Sequence, residues 1–369
     1  MRATTFLLPL LGLARVALSA PSFVSQYELD AGGALRSGDS ILDRLREDKR
    51  FSCFVEHLEK EKGLRDDLER SGQTTLFAPT NEAFRRAKKE WELSEKDIDM
   101  KSILQYHIAP ESKITSDCLH AGALIPTGLR LKTLGDRHQR LRVFKFADRT
   151  WLNMMSQVMG SEVEASNGRI FAVDGVLVPP SNVGEMLSAF PTMFSTSALA
   201  IEHSGLRNDI SRKNGLTVFA PSNNAWKALG LANLKYLFSC MGQEMKERSD
   251  KMECRGSKDL RRIVENMISD KTVAYSTDMM HEQKMSLKTW AGETIEIQSK
   301  ERKGRRGSGS GGHQDVRDYN FVIGNGDATI QFTDLLASNA AIHIPSRVLV
   351  PENVRLPHGD RMMEMEMEM

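Results

Sequence analysis

Two short apolar segments of the chain, residues 75–78 and 217–220, each run into a proline that is followed by a hydroxyl residue. Both segments read Thr, Leu or Val, Phe, Ala, which predicts a buried strand that ends at Pro79 or Pro221. The hydroxyl residue after each proline can accept a hydrogen bond at the start of a helix. Each pattern therefore predicts a strand that turns sharply into a capped helix.

The two segments belong to a longer repeat. Residues 75–84 and 217–226 are identical at six of ten positions. The signature residues of this repeat are Phe77, Ala78, Pro79, Asn81, Phe219, Ala220, Pro221 and Asn223. A second repeat relates residues 166–179 to residues 338–351. Because each copy opens and closes with the same two patterns, the chain is predicted to hold two domains that arose by internal duplication.

The closing pattern predicts two strands joined at Asn167 and Gly168, because Asn-Gly reaches positive φ easily and favours a tight hairpin. Apolar residues 170–173 and 176–178 follow, and two prolines end the pattern. The second copy has Ala340 where Gly168 stands in the first. We therefore expect the turn of the second copy to be adjusted.

The spacing between the copies grows along the chain, which locates two insertions in the second copy. The corner segments lie 142 residues apart (217 − 75), Ser116 and Thr277 lie 161 apart, and the closing segments lie 172 apart (348 − 176). The second copy is thus predicted to gain 19 residues and then 11 more. Cys240 and Cys254 bracket the first gain. A basic, glycine-rich run accounts for the second, and we predict a mobile insertion at residues 299–318.

These patterns, together with residues 104–110 between them, closely resemble the fasciclin-like adhesion domain, and most of all the tandem members that fungi secrete. The resemblance covers residues 38–182 and 183–354. It implies an α+β fold, in which each domain is a wedge of short β-strands with helices packed around it.

The resemblance also marks Tyr106 and His107 as an adhesion segment, because fasciclin domains of animals carry a tyrosine-histidine pair there that is linked to adhesion. The second copy has Asn266 and Met267 instead. A histidine among apolar residues is also a common structural residue. Adhesive and structural roles for this pair both remain open.

The two ends of the chain predict its route through the cell. Residues 1–20 combine Arg2, an apolar run and small residues, as in a secretory signal peptide. No second apolar span follows, and residues 355–369 are predicted to be a disordered tail. No Asn-x-Ser/Thr glycosylation site is present. We expect an extracellular or cell-surface protein, with the vacuolar lumen as the alternative.

The charge and the cysteine content limit which partners and which disulfide bridges we expect. With 50 basic and 49 acidic side chains the net charge is +1, so no global field favours nucleic acid, although local basic patches remain possible. Four cysteines are an even set in a chain predicted to be secreted. The favoured disulfide joins Cys240 and Cys254. Cys53 and Cys118 either form a second bridge or remain as buried free thiols.

Signatures of catalysis are missing from the sequence. His281-Glu282 lacks the second histidine of a zinc protease, and neither a Gly-x-Ser-x-Gly elbow nor a phosphate-binding loop is found. We therefore expect no catalytic residue, cofactor or metal site.

The expected function is non-enzymatic adhesion at the cell surface or in the extracellular matrix, with a protein or a glycan as partner. One alternative is a luminal vacuolar or endosomal protein that serves trafficking or turnover. The other is a ligand carrier or enzyme with a pocket between the domains.

Overall fold

The computed structural model of this chain describes residues 39–70, 73–94, 99–110, 112–146, 149–239, 255–302, 318–324 and 328–357. It divides into two compact units, with the boundary at Pro180 and Ser181. Each unit has a seven-stranded sheet with helices packed on it. The predicted α+β class and the presence of two similar domains are confirmed.

The first domain carries its helices mostly before its sheet. The helices are α1 (Ile41–Glu47), α2 (Ser52–Lys60), α3 (Lys62–Arg70), α4 (Asn81–Ser94) and α5 (Met100–His107). The strands are β1 (Thr74–Pro79), β2 (Ile108–Ala109), β3 (Leu124–Leu131), β4 (Arg137–Phe146), β5 (Arg149–Leu152), β6 (Ser156–Ala165) and β7 (Gly168–Val173). The sheet order is β2-β1-β7-β6-β5-β4-β3, and only the β1–β7 pair within it is parallel.

The second domain repeats this topology. Its helices are α6 (Val183–Ala189), α7 (Pro191–His203), α8 (Arg207–Arg212), α9 (Asn223–Lys227), α10 (Leu231–Leu237), α11 (Arg255–Asn266) and α12 (Ser276–Glu282). Its strands are β8 (Leu216–Phe219), β9 (Ile268–Ser269), β10 (Lys284–Lys288), β11 (Thr294–Arg302), β12 (Asp318–Ile323), β13 (Ala328–Leu336) and β14 (Ala340–Pro345). The order β9-β8-β14-β13-β12-β11-β10 is that of the first domain with each strand number raised by seven.

Strand β1 is buried along its whole length because both faces of its sheet are covered. Leu76 and Ala78 pack in one apolar cluster with helices α1 and α2, whereas Phe77 joins a second cluster on the other face with Leu141 and Val143. A strand that is covered on both faces usually consists of consecutive apolar residues, as residues 76–79 do. The corner segment is therefore the centre of the domain.

The predicted capped corner is present in both copies. The Thr80 hydroxyl accepts a hydrogen bond from the Ala83 amide at 3.3 Å, and the Ser222 hydroxyl accepts one from the Ala225 amide at 3.3 Å. Helix α4 begins at Asn81 directly after the first cap. Each hydroxyl thus binds one of the amides that a helix start leaves without a partner within the helix.

The closing hairpin forms, but Gly168 has a different role from the predicted one. Ala165 pairs with Gly168, so the turn consists of Ser166 and Asn167, and Gly168 opens strand β7. A Cβ on Gly168 would lie 1.9 Å from the Thr74 carbonyl oxygen. The glycine therefore allows two strands to approach closely, rather than supplying the positive φ that we expected.

Two further details of the sequence-based prediction are wrong. Residues 176–178 do not form a strand, and their counterparts 348–350 do not either. The expected mobile insertion is shorter than predicted at both ends, because Ser299 pairs with Phe321 and Arg302 pairs with Asp318 in the β11–β12 ladder. Residues 303–317 of that insertion lie outside the described residues.

Matched hydrogen bonds correct the predicted sizes of the insertions. Thr75 donates to the Ser112 carbonyl at 2.5 Å, and Thr217 donates to the Thr272 carbonyl at 2.6 Å. The copies are therefore 160 residues apart here (272 − 112), not 161. The second copy gains 18 residues (160 − 142) and then 12 (172 − 160). The first gain itself, around Cys240, lies outside the described residues.

Both ends of the chain are only partly described. The predicted signal peptide at residues 1–20 lies outside the described residues. Of the predicted tail, Leu356 packs against the core of the second domain, so this start of the tail is ordered. Helices long and apolar enough to cross a membrane are absent from the described ranges.

Candidate functional site

The predicted adhesion segment lies at the end of helix α5 and is buried. Tyr106 is 0 % exposed and His107 is 0 % exposed. The Tyr106 hydroxyl donates to the Arg140 carbonyl at 2.8 Å and accepts from the Asn153 side-chain amide at 2.8 Å. The tyrosine therefore ties helix α5 to strand β4 and to the turn that follows strand β5.

Both ring nitrogens of His107 have partners within the domain. Nδ1 lies 2.8 Å from the Ile103 carbonyl, one helical turn earlier, and Nε2 accepts from the Leu177 amide at 3.0 Å. A carbonyl can only accept and an amide can only donate, so the ring carries its proton on Nδ1. Burial lowers the pKa of His107 to about 4. The side chain is a neutral clasp between helix α5 and the segment after strand β7.

Neither side chain offers a surface to a partner in this conformation. All the polar atoms of His107 and the hydroxyl of Tyr106 already bind groups of the domain. This geometry favours the structural interpretation of the pair. An adhesive role for the pair stays an untested prediction, and it would need the segment to open.

The second domain has different residues at the positions of Tyr106 and His107. Leu76 pairs with Ile108, and Val218 pairs with Ile268, so Asn266 and Met267 do occupy the positions of the tyrosine and histidine. The Asn266 side-chain amide donates to the Leu349 carbonyl at 3.1 Å. Leu349 is the counterpart of Leu177 (349 − 177 = 172). Both domains therefore link this helix end to the same segment, but from adjacent positions and with donor and acceptor exchanged.

The second domain has a buried histidine of its own, which the sequence analysis missed. The Nε2 atom of His343 lies 2.8 Å from the Ala274 carbonyl, and Nδ1 accepts from the Asp334 amide at 3.3 Å. Its ring lies 5.7 Å from Phe219, at the place where Phe171 lies 5.6 Å from Phe77 in the first domain. Aligning the closing repeats would have revealed it, because a histidine interrupts an otherwise apolar strand at that position.

The signature residues build the corner and not an exposed site. Phe77, Ala78, Pro79, Phe219, Ala220 and Pro221 are all buried. The Asn81 side chain accepts from the Cys53 amide at 2.9 Å and donates to the Lys49 carbonyl at 2.9 Å. The Asn223 side chain accepts from the Thr196 amide at 2.9 Å and donates to the Pro191 carbonyl at 3.1 Å. Each asparagine thereby fastens the corner to a preceding helix.

The turn asparagines play a similar anchoring role. Asn167 accepts from the Ile41 amide at 2.8 Å, and Asn339 accepts from the Val183 amide at 3.1 Å. Each thus holds the first helix of its domain, α1 or α6. The recurrence of this asparagine in both closing repeats reflects a structural contact.

Two of the four cysteines, Cys53 and Cys118, lie within the described residues. Cys53 is a half-buried free thiol and Cys118 is an exposed free thiol, so the possible second bridge is not formed. The alternative of two buried thiols is also wrong for Cys118. Cys240 and Cys254, the favoured pair, lie outside the described residues, and their bridge stays a prediction.

Clusters of three or more His, Cys, Asp or Glu side chains able to hold a metal ion are absent from the part of the chain that the structure describes. Most of the polar side chains named above bind backbone groups, and Tyr106 and Trp226 also bind the side chains of Asn153 and Ser197. What the arrangement can do chemically is hold segments in place.

Comparison with known proteins places both halves of the chain in one domain family. The fasciclin domain matches residues 49–179 and 192–351. Transforming growth factor-beta-induced protein ig-h3 of Sus scrofa is 21% identical over 302 residues, covering 81% of this chain and 38% of that protein. Human periostin is 32% identical over 149 residues, which is 38% of this chain and 16% of periostin. Protein sll1483 of Synechocystis is 27% identical over 174 residues, covering 46% of this chain and 90% of that protein.

The chain belongs to the fasciclin domain family and carries two copies of the domain. A solved FAS1 domain pair from the insect cell adhesion molecule fasciclin I aligns with 21% identity, a TM-score of 0.38, and coverage of 83% of this chain and 98% of that chain. The chain spans about two-fifths of the length of ig-h3. The predicted likeness to fungal secreted members stays a prediction.

Proposed function

We propose that this protein is a non-enzymatic, secreted binding protein that acts in adhesion at the cell surface or in the extracellular matrix. The observation that carries the proposal is membership of the fasciclin family in both halves of the chain. The partner is a cell-surface or matrix protein or glycan. Residues 1–20 direct the chain into the secretory pathway.

The interior of each domain supports binding through outer surfaces. The polar residues at the family's adhesion position are satisfied inside the first domain, and their counterparts are satisfied inside the second. A partner therefore meets exposed strands, helices and loops, while the buried hydrogen bonds keep those surfaces in a fixed geometry.

The test is attachment of cells to a surface coated with the purified full chain. We expect attachment to rise with coating density. The matched control is the same chain unfolded in urea before coating, which presents the same composition without the fold. Equal attachment to folded chain, unfolded chain and an inert protein would refute the adhesive role.

Localisation is tested separately with a tag placed within the chain. The full chain should reach the medium or the cell surface, and a chain without residues 1–20 should stay inside the cell. Accumulation of the full chain in the vacuolar lumen would support the alternative role in trafficking or turnover.

A further inference from the structure

Strand β4 places a row of basic and aromatic side chains on the outer face of the first domain's sheet. Its buried positions are Gln139, Leu141 and Val143. The alternating positions His138, Arg140, Arg142, Phe144 and Phe146 are half-buried or exposed. Successive side chains on a strand point to opposite faces, so these five share the outer face.

Neighbouring strands extend this row. Arg130 of β3 pairs with His138, and its guanidinium donates to the His138 Nε2 atom at 3.2 Å. On the other side, Trp151 of β5 pairs with Phe144, and Arg149 pairs with Phe146. Directly paired residues lie on one face of the sheet. We call these eight residues the β4 face: Arg130, His138, Arg140, Arg142, Phe144, Phe146, Arg149 and Trp151.

At the aromatic end of the β4 face, Phe146 is exposed, whereas Phe144 and Trp151 are half-buried. The Arg142 guanidinium carbon lies 5.3 Å from the centre of the Phe144 ring. The Phe144 and Phe146 rings are nearly parallel, at 5° and 6.2 Å between centres. Phe146 is 53 % exposed. Exposed stacked aromatic rings beside guanidinium groups are a common feature of binding surfaces.

The charge of this region departs from that of the whole chain. Residues 124–152 contain seven Lys or Arg and two Asp, a net +5 (7 − 2), whereas the chain as a whole carries +1. One of the two acids, Asp136, lies in the β3–β4 turn, and the other, Asp148, lies outside the described residues. The residues of the β4 face include four arginines and no acid. A surface of this composition favours an anionic ligand.

The second domain has lysines at the equivalent place, Lys284, Lys288 and Lys300, but not the arginines and aromatic rings of the β4 face. The Asn153 amide donates to the Arg142 carbonyl at 2.8 Å, and the Gly324 amide donates to the Glu296 carbonyl at 2.8 Å, which makes Glu296 the counterpart of Arg142. By the same register Arg140 corresponds to Thr294 and Phe144 to Gln298. Glu296 is paired with Lys284 at 3.0 Å. The combination of guanidinium groups with aromatic rings is therefore particular to the first copy, and the fold does not require it.

The shape of the β4 face favours an extended ligand. From His138 to Phe146 the strand covers eight residue steps, about 27 Å at ~3.4 Å per step. Guanidinium groups bind carboxylate or sulfate through two parallel hydrogen bonds. Aromatic rings pack against the apolar C–H faces of sugar rings. An acidic polysaccharide offers both features repeatedly along one chain.

We propose that the β4 face of the first domain binds an acidic polysaccharide. The inference deepens the proposed adhesive function, on which the choice of a glycan over other polyanions rests. Guanidinium groups bind the carboxylates or sulfates, and Phe144, Phe146 and Trp151 contact the sugar rings.

The test measures binding of the full chain to three immobilised probes: heparin, which is sulfated; polygalacturonate, which bears only carboxylates; and neutral dextran. The variant Arg140→Glu/Arg142→Glu is compared with Lys288→Glu/Lys300→Glu, which changes the net charge equally on exposed positions of the second domain. We expect at least one acidic probe to bind, and the first variant to weaken it by about tenfold or more. The control should change it by less than about twofold.

A third variant distinguishes loss of the binding contact from misfolding of the domain. Phe144→Gln installs the residue of the second domain without a charge change, and it should weaken binding several-fold while circular dichroism and melting remain normal. Equal losses in both charge variants would mean non-specific attraction and overturn the proposal. Absence of binding to both acidic probes would also overturn it. So would tighter binding of a single-stranded oligonucleotide to the same face, because stacked aromatics with arginines also suit nucleic acid.

Failure of this inference and failure of the adhesive function are distinguishable. If the intact chain supports cell attachment but binds neither acidic probe, the inference fails and adhesion stands. If the chain binds an acidic probe through the β4 face but supports no attachment, the inference stands and the adhesive function fails.

Discussion

The two domains share one fold but clasp the same segment with different chemistry. In the first domain His107 accepts from the Leu177 amide, and in the second Asn266 donates to the Leu349 carbonyl. The buried histidine of the second domain, His343, lies instead on strand β14. Both domains thus have a hydrogen bond between the helix end and the segment of Leu177 or Leu349. The fold requires neither a histidine nor a particular direction of hydrogen bonding there.

The largest expected difference between the domains concerns the start of the last strand. Gly168→Ala should lower the free energy of unfolding by about 4 kcal/mol. The added Cβ would lie 1.9 Å from the Thr74 carbonyl oxygen, so the backbone of strand β1 or β7 would have to move. Ala340→Gly in the second domain should cost only about 1 kcal/mol, since it loses little beyond backbone entropy. Urea unfolding of both variants measures the difference. Equal costs would show that strands β1 and β7 can separate easily.

The stability of the first domain should depend on pH through His107. Burial lowers the pKa of this histidine from 6.5 to about 4, so between these pH values the unfolded chain binds a proton that the folded domain excludes. The neutral His107 side chain therefore contributes fully to the free energy of unfolding above pH 6.5. This contribution is lost as the pH falls towards 4, and the loss amounts to roughly 3 kcal/mol. The measurement is unfolding free energy against pH for wild type minus His107→Met. The subtraction removes carboxyl groups that titrate in the same range, and a flat difference would contradict the assignment.

His107→Met transfers the residue of the second domain into the first. The presence of Met267 at the equivalent position suggests a small loss of stability, but in the first domain the Leu177 amide would lose its acceptor. An unsatisfied buried amide costs about 1–3 kcal/mol, so we expect about 2 kcal/mol at pH 7. His120→Met, at an exposed position, is the control and should stay within about 0.5 kcal/mol. A cost below that of the control would mean that the clasp contributes nothing.

These contacts explain which features could be predicted from the sequence. The corner was predictable because its signals are local: an apolar run, a proline and a hydroxyl cap at Thr80 or Ser222. Residues 176–178 were misjudged because an apolar run is equally consistent with a strand and with an irregular buried segment. The Leu177 amide binds a histidine 70 positions away, and no local pattern reports such a contact.

The candidate site was predictable in position but not in environment. The family resemblance marked Tyr106 and His107, yet only packing shows that both are enclosed. Gly168 was recognised as special for the wrong reason, because close approach of a neighbouring strand leaves no trace in the local sequence. The β4 face was hidden by the near-neutral total charge, since acids elsewhere balance its arginines.

The most direct test of the account is attachment by the folded His107→Met variant. If adhesion takes place through outer surfaces, His107 has only a structural role. We then expect attachment per folded molecule to stay within about twofold of wild type, in conditions where circular dichroism shows both proteins folded. Loss of attachment by a variant that is folded and melts cooperatively would contradict the account and make the Tyr106-His107 segment an adhesive site.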